Sequence, residues 1–127
     1  MKLPNRTGAR PILLSEADVR LRTAATDALI SAGFPVVELA RTDEALSLLE
    51  ARRNFCGLIS GLNSQGCFDG LERAHFVSNR WPTVWIVVTS GWAQCHLNLP
   101  PPARWIPSPY DVSHLIRVVG QEVETDN

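Results

Sequence analysis

The sequence predicts an α/β fold built on a parallel sheet. Five short apolar runs alternate with stretches of helical periodicity, and the most strand-like run, Thr83 to Val88 (TVWIVV), lies well inside the chain. Strands that take turns with helices need crossover connections. Right-handed crossovers then place helices on both faces of a five-stranded sheet.

The elements follow in order. Pro11 to Ser15 (PILLS) is a strand, and Asp18 to Ala32 is a helix with Leu21, Ala25, Ala28, Leu29 and Ala32 on one face, stopped at Gly33. Pro35 to Leu39 (PVVEL) is the second strand. It leads to a helix capped near Thr42 or Asp43, with Ala45, Leu48 and Leu49 turned inward. Phe55 to Ser60 is the third strand, running out into Gly61, and Asp69 is placed to cap a third helix carrying Leu71, Ala74 and Val77. After Thr83 to Val88 the proline run of SGWAQCHLNLPPPA bars a regular helix, so a fourth helix is expected to be short or missing. Ala103 to Ile106 is a short fifth strand. Asp111 caps a last helix with Val112, Leu115, Ile116 and Val119 on one face.

At 127 residues and 45% apolar composition the chain is long enough for a full core. One domain over residues 11–120 is expected, with a flexible N-terminus (residues 1–10) and a polar C-terminal tail (residues 121–127). A formal charge of −1 with both signs interspersed leaves no basic face for nucleic acid and no polybasic membrane patch, which points to protein partners. Cys56, Cys67 and Cys95 are odd in number without C-x-x-C spacing, and the opening MKLPNRTGAR lacks an apolar signal region. Both features suit a cytoplasmic protein. No G-x-S-x-G elbow supports a hydrolase, and the chain is not expected to be an enzyme.

In sheets of this kind ligands meet the carboxyl ends of the strands, which directs attention to Ser15 to Asp18, Ser60 to Asn63, Thr89 to Gly91 and Pro107 to Pro109. The motifs there carry a resemblance. SEAD after the first strand, CFDGL opening the third helix, VVTSG after the fourth strand and WIPSPYD after the fifth resemble the receiver domain of two-component response regulators, over about residues 11 to 120. The resemblance implies a flavodoxin-like three-layer fold with strand order 2-1-3-4-5. It also implies a site of magnesium-binding acids, a phosphoacceptor Asp, a Thr or Ser, and a Lys-Pro pair, served by a histidine kinase.

Matched position by position, the acceptor Asp falls on Gly61, the acidic pair on Glu16 and Ala17, the hydroxyl on Thr89 and the Lys on Ser108, with Asp18 and Asn63 beside them. The chain thus resembles a degenerate receiver, lacking both acceptor and Lys. The two losses belong together, since a partly buried Lys without its Asp is poorly compensated, and removing both partners costs less. Glu16 and Asp18 retain the means to hold magnesium weakly, and are as well suited to capping the first helix; no other metal site and no cofactor is expected. Trp105 falls where receivers keep a switch aromatic that swings when the Thr meets a phosphoryl group. With Tyr110 it marks an expected docking surface for a signalling protein, a histidine kinase or a second copy of the chain. The leading reading is phosphorylation-independent signalling by protein contact. The runner-up makes the emptied crevice a small-molecule or anion site, with Thr89, Ser90, Ser108 and backbone amides as donors.

Overall fold

In a computed structural model of the chain, which describes residues 10–51, 54–62, 67–91 and 98–125, strands and helices alternate as expected. They are β1 (Ile12–Ser15), α1 (Val19–Ser31), β2 (Val36–Leu39), α2 (Thr42–Ala51), β3 (Gly57–Leu62), α3 (Cys67–Arg80), β4 (Trp85–Ser90), β5 (Arg104–Pro107) and α4 (Val112–Thr125). All pairings are parallel, in the order β2-β1-β3-β4-β5. This is the flavodoxin-like arrangement.

Because helices cover both faces, the inner strands are buried at consecutive positions, over residues 12–15, 57–60 and 85–90, rather than at every second one. Ile12, Leu14, Ile59 and Val87 pack toward Ala25 and Leu29 of α1 and Leu115 and Val119 of α4. Their neighbours Leu13, Leu58, Ile86 and Val88 turn the other way, against Ala45 and Leu49 of α2 and Ala74 and Val77 of α3. The period-2 alternation of strand side chains thus feeds two separate cores from one set of strands.

Local chemistry sets where the elements start and stop. Asp18 caps α1, its Oδ1 accepting from the amides of Arg20 (2.9 Å) and Leu21 (3.2 Å). At the other end Gly33 adopts φ 97°, a left-handed conformation that suits glycine, while the Gly33 amide donates to the Ile30 carbonyl and the Phe34 amide to that of Leu29. In α2 the first helical residue is Thr42, and Glu44 Oε1 reaches back to the Arg41 amide (3.1 Å), half of a capping box. The Thr42 hydroxyl, expected near the cap, joins Ser15 Oγ (3.1 Å) and Ser60 Oγ (3.3 Å), tying α2 to the ends of β1 and β3.

Four expectations are corrected. Strands β3 and β4 each continue two residues beyond their apolar runs, because the backbone pairing of Gly61 with Thr89 and Leu62 with Ser90 holds them in the sheet. Helix α3 begins at Cys67, so Asp69 lies inside its first turn rather than at its cap. Ala32, expected on the inner face of α1, is exposed. The last helix runs to Thr125, well into the expected tail. Arg104 of β5 draws its end in by bonding Gln121 Oε1 and pairing with Glu122 (3.7 Å), and Val123 packs on the core. Between β4 and β5 the described residues form no α-helix, in keeping with the proline run; residues 92–97 lie outside the described residues, as do 1–9 of the expected flexible N-terminus and 126–127. Among the described residues no helix is long and apolar enough to cross a membrane.

Candidate functional site

The carboxyl ends of β1, β3, β4 and β5 open into a crevice of about 480 Å³. Glu16, Ala17, Asp18, Gly61, Thr89 and Ser108 all line it, so the topology gathers six of the residues the sequence singled out. Asn63 lies outside the described residues. Leu21, Leu62, Gly91 and Pro109 complete the walls. Leu62, Gly91 and Pro109 fall in the strand-end segments to which the sequence directed attention, whereas Leu21, expected on the inner face of the first helix, was not marked for the crevice and carries no chemical signal for it.

The floor of the crevice is the central observation. Gly61 sits inside β3 opposite Thr89, and a Cβ built on it would lie 2.1 Å from Oε1 of Glu16 and 2.8 Å from its Cδ. No side chain at position 61 fits while Glu16 is in place. The Glu16 carboxylate occupies that volume itself, and the residue is only 9% exposed.

Several bonds hold Glu16 there. Its Oε2 accepts from the Asp18 amide (3.0 Å), and its carbonyl oxygen accepts from Arg22 NH1 (2.9 Å). The Arg22 guanidinium also pairs with Glu38 (3.4 Å) and so is shared with β2. Burial raises the Glu16 pKa above its ordinary value, as does the nearby Asp18 charge; the Asp18 amide and Arg22 oppose the rise. A carboxyl raised on folding contributes stability that is fully present below its ordinary value of 4.5 and is lost as pH rises through the folded value. Glu16→Gln mimics the protonated form at every pH. The variant is therefore expected to melt with the parent in acid and above it at neutral pH, the gap opening as pH rises above 4.5 and levelling off once pH is past the raised value. Thermal melts across that range check this, and a gap independent of pH would show that the carboxylate costs nothing.

The β4 end beside the crevice is polar and buried. Thr89 and Ser90 are 3% and 0% exposed, and the Ser108 amide donates to the Ser90 carbonyl (2.9 Å), binding the β5 end to β4. The Ser108-Pro109 peptide is cis, and Tyr110 lies close enough to Glu16 to feel its charge. Burial, followed by the charge of Glu16, raises the Tyr110 phenol to about 12, so it stays protonated at neutral pH.

Trp105 and Tyr110 pack against different cores. Trp105 packs with Leu99 and Ala103 against the core on the α2 and α3 side of the sheet, whereas Tyr110 packs on the α1 and α4 side. Magnesium prefers near-octahedral oxygen ligation. Here Glu16 Oε2 accepts one amide and Asp18 Oδ1 two, so one oxygen of each acid already serves the backbone at the start of α1. Among the described residues no group of three or more His, Cys, Asp or Glu is placed to hold a metal. Asp18 does what the capping expectation asked of it.

The architecture has many counterparts among solved structures. A response regulator receiver protein from Sinorhizobium medicae is 24% identical with a TM-score of 0.82, the match covering 94% of this chain and 98% of that one. An orphan response regulator of H. pylori is 15% identical with a TM-score of 0.80, over 93% and 99% of the two chains. The signal receiver domain of an HD domain-containing protein from Pseudomonas fluorescens is 18% identical with a TM-score of 0.80, over 99% and 95%. No family model matches the chain, and no curated protein matches it. Its structural neighbours are response regulator receiver domains, and the fold is theirs.

Proposed function

We propose that the chain is a degenerate receiver domain, a non-enzymatic module of cytoplasmic two-component-type signalling that works through protein contact without Asp phosphorylation. The observation that carries this reading is the pairing of Gly61 with Glu16. Phosphoryl transfer to a receiver needs a carboxylate nucleophile, a divalent ion on the phosphoryl oxygens and a cation opposite. Position 61 offers no nucleophile, the volume it would occupy is filled by Glu16, and Ser108 supplies a hydroxyl where the resemblance asks for an ammonium. Glu16 cannot substitute as acceptor without leaving the pocket in which its Oε2 is bonded. The partner is a signalling protein or kinase, or a second copy of the chain.

The same carboxylate weighs against the anion-binding alternative. An incoming anion would meet Glu16 and Asp18, and no basic side chain among the described residues lines the crevice to offset them. No observation favours a neutral metabolite. Addition of magnesium and acetyl phosphate to the labelled protein is expected to leave the amide resonances of Thr89, Ser90 and Trp105 unmoved. Displacement of all three by the donor, but not by magnesium alone, would show a working phosphorylation switch.

A further inference from the structure

Glu16 is nine-tenths buried, and among the described residues no basic side chain lines the crevice beside its carboxylate. Oε2 accepts the Asp18 amide and the Ala17 amide also favours the charged carboxylate, while Oε1 lies over Gly61, facing the crevice. The nearest guanidinium, Arg22, is spent on the Glu16 carbonyl and on Glu38. A carboxylate largely withdrawn from water is costly, and a cation that reaches its open side offsets that cost.

The crevice above that oxygen has walls of two kinds. Leu21, Leu62 and Pro109 are apolar, while Thr89 and Ser108 bring hydroxyls that can accept a hydrogen bond. From this geometry we propose that the crevice receives a lysine side chain of a protein partner, its ammonium group pairing with Glu16 Oε1 and its methylene stem lying along the apolar wall. The proposal rests on the protein-contact reading above and names the chemistry of that contact. An ammonium suits the site better than a guanidinium. Bidentate pairing with arginine needs two free carboxylate oxygens in one plane, and Glu16 offers one, whereas an ammonium acts as a point charge with three donors for Glu16 and the two hydroxyls. It also suits the site better than a hydrated divalent ion, which would leave the apolar wall uncovered and find too few free oxygens.

The test uses a short capped peptide with one central lysine, titrated into the full-length labelled protein. Saturable shifts of the Gly61, Thr89 and Gly91 amides are expected, with a dissociation constant on the order of 1 mM. The same peptide acetylated on its lysine is expected to give none, and Glu16→Gln to weaken binding at least about tenfold. Should Glu16→Gln fail to fold, Ser108→Lys decides: by placing an ammonium in the crevice from within, it is expected to abolish the peptide shifts. Equal shifts from the acetylated peptide, undiminished binding to Glu16→Gln or to Ser108→Lys, absence of saturable shifts from the lysine peptide, or saturation by magnesium chloride alone would each overturn the proposal. None of these outcomes bears on whether the chain takes up a phosphoryl group, so failure here is distinct from failure of the phosphorylation-independent reading.

Discussion

Gly57→Ala is expected to cost the fold about 3 kcal/mol, the upper part of the usual range for overpacking a closed core. Gly57 opens β3 directly opposite Trp85 of β4, and the indole lies flat across it. A Cβ at Gly57 would stand 2.2 Å from Cδ2 and Cε2 of that ring and 2.4 Å from Cζ2. Such contacts cannot be relieved by swinging the end of a flexible chain. The indole is rigid, 8% exposed, and packed among Ile59, Val118 and Val119, so the ring or the strand has to move. Chemical denaturation of the variant measures the loss. Combining Gly57→Ala with Trp85→Leu is expected to be less damaging than the sum of the two changes, because removal of the ring removes the clash. Strict additivity would place the damage elsewhere.

Gly61→Asp should have the second largest effect, for an electrostatic reason. The new Cβ meets Oε1, Cδ and Oε2 of Glu16 at 2.1, 2.8 and 3.3 Å. These atoms are the end of a rotatable side chain, so the steric conflict is relieved when Glu16 swings out. The charges are not relieved so easily. Glu16 then surrenders the Asp18 amide, a charge-assisted bond, and three carboxylates crowd one crevice. A loss of about 2 kcal/mol is expected. Adding Ser108→Lys should recover part of it, as the sequence argument for the paired loss requires, and adding Glu16→Ala should recover more. Denaturation midpoints for the three combinations measure the coupling. Equal midpoints with and without Glu16 would mean that Glu16 and position 61 do not compete for one volume.

How far the letters carried depended on what kind of force set each feature. The five strands and the inner faces of α2, α3 and α4 were legible because burial imposes periods of 2 and 3.6 on the sequence. The ends of β3 and β4 were not. Gly61, Leu62, Thr89 and Ser90 are held by backbone pairing, which writes no side-chain pattern. The start of α3 at Cys67 was missed because Asp69 is a good capping residue by type, and type alone does not fix a helix boundary. In the site, strand order brought Glu16, Gly61, Thr89 and Ser108 together as expected. Glycine at position 61 was visible in the sequence; its reason was not. The close approach of Glu16 to the Gly61 backbone is a contact between distant parts of the chain, and it turns an apparently featureless residue into one half of a fitted pair. Likewise Trp105 and Tyr110 are near in sequence, yet β5 and the turn after it send them to opposite sides of the sheet.

Intact mass spectrometry after incubation with magnesium and acetyl phosphate tests the central claim most directly. The account predicts an unchanged mass for the parent protein, since position 61 has no carboxylate and Glu16 is held with one oxygen bonded and the other over the Gly61 backbone. A gain of one phosphoryl group that is lost on hydroxylamine treatment and maps to Glu16, Asp18 or Asp69 would contradict it, because a displaced acid would then be serving as the acceptor.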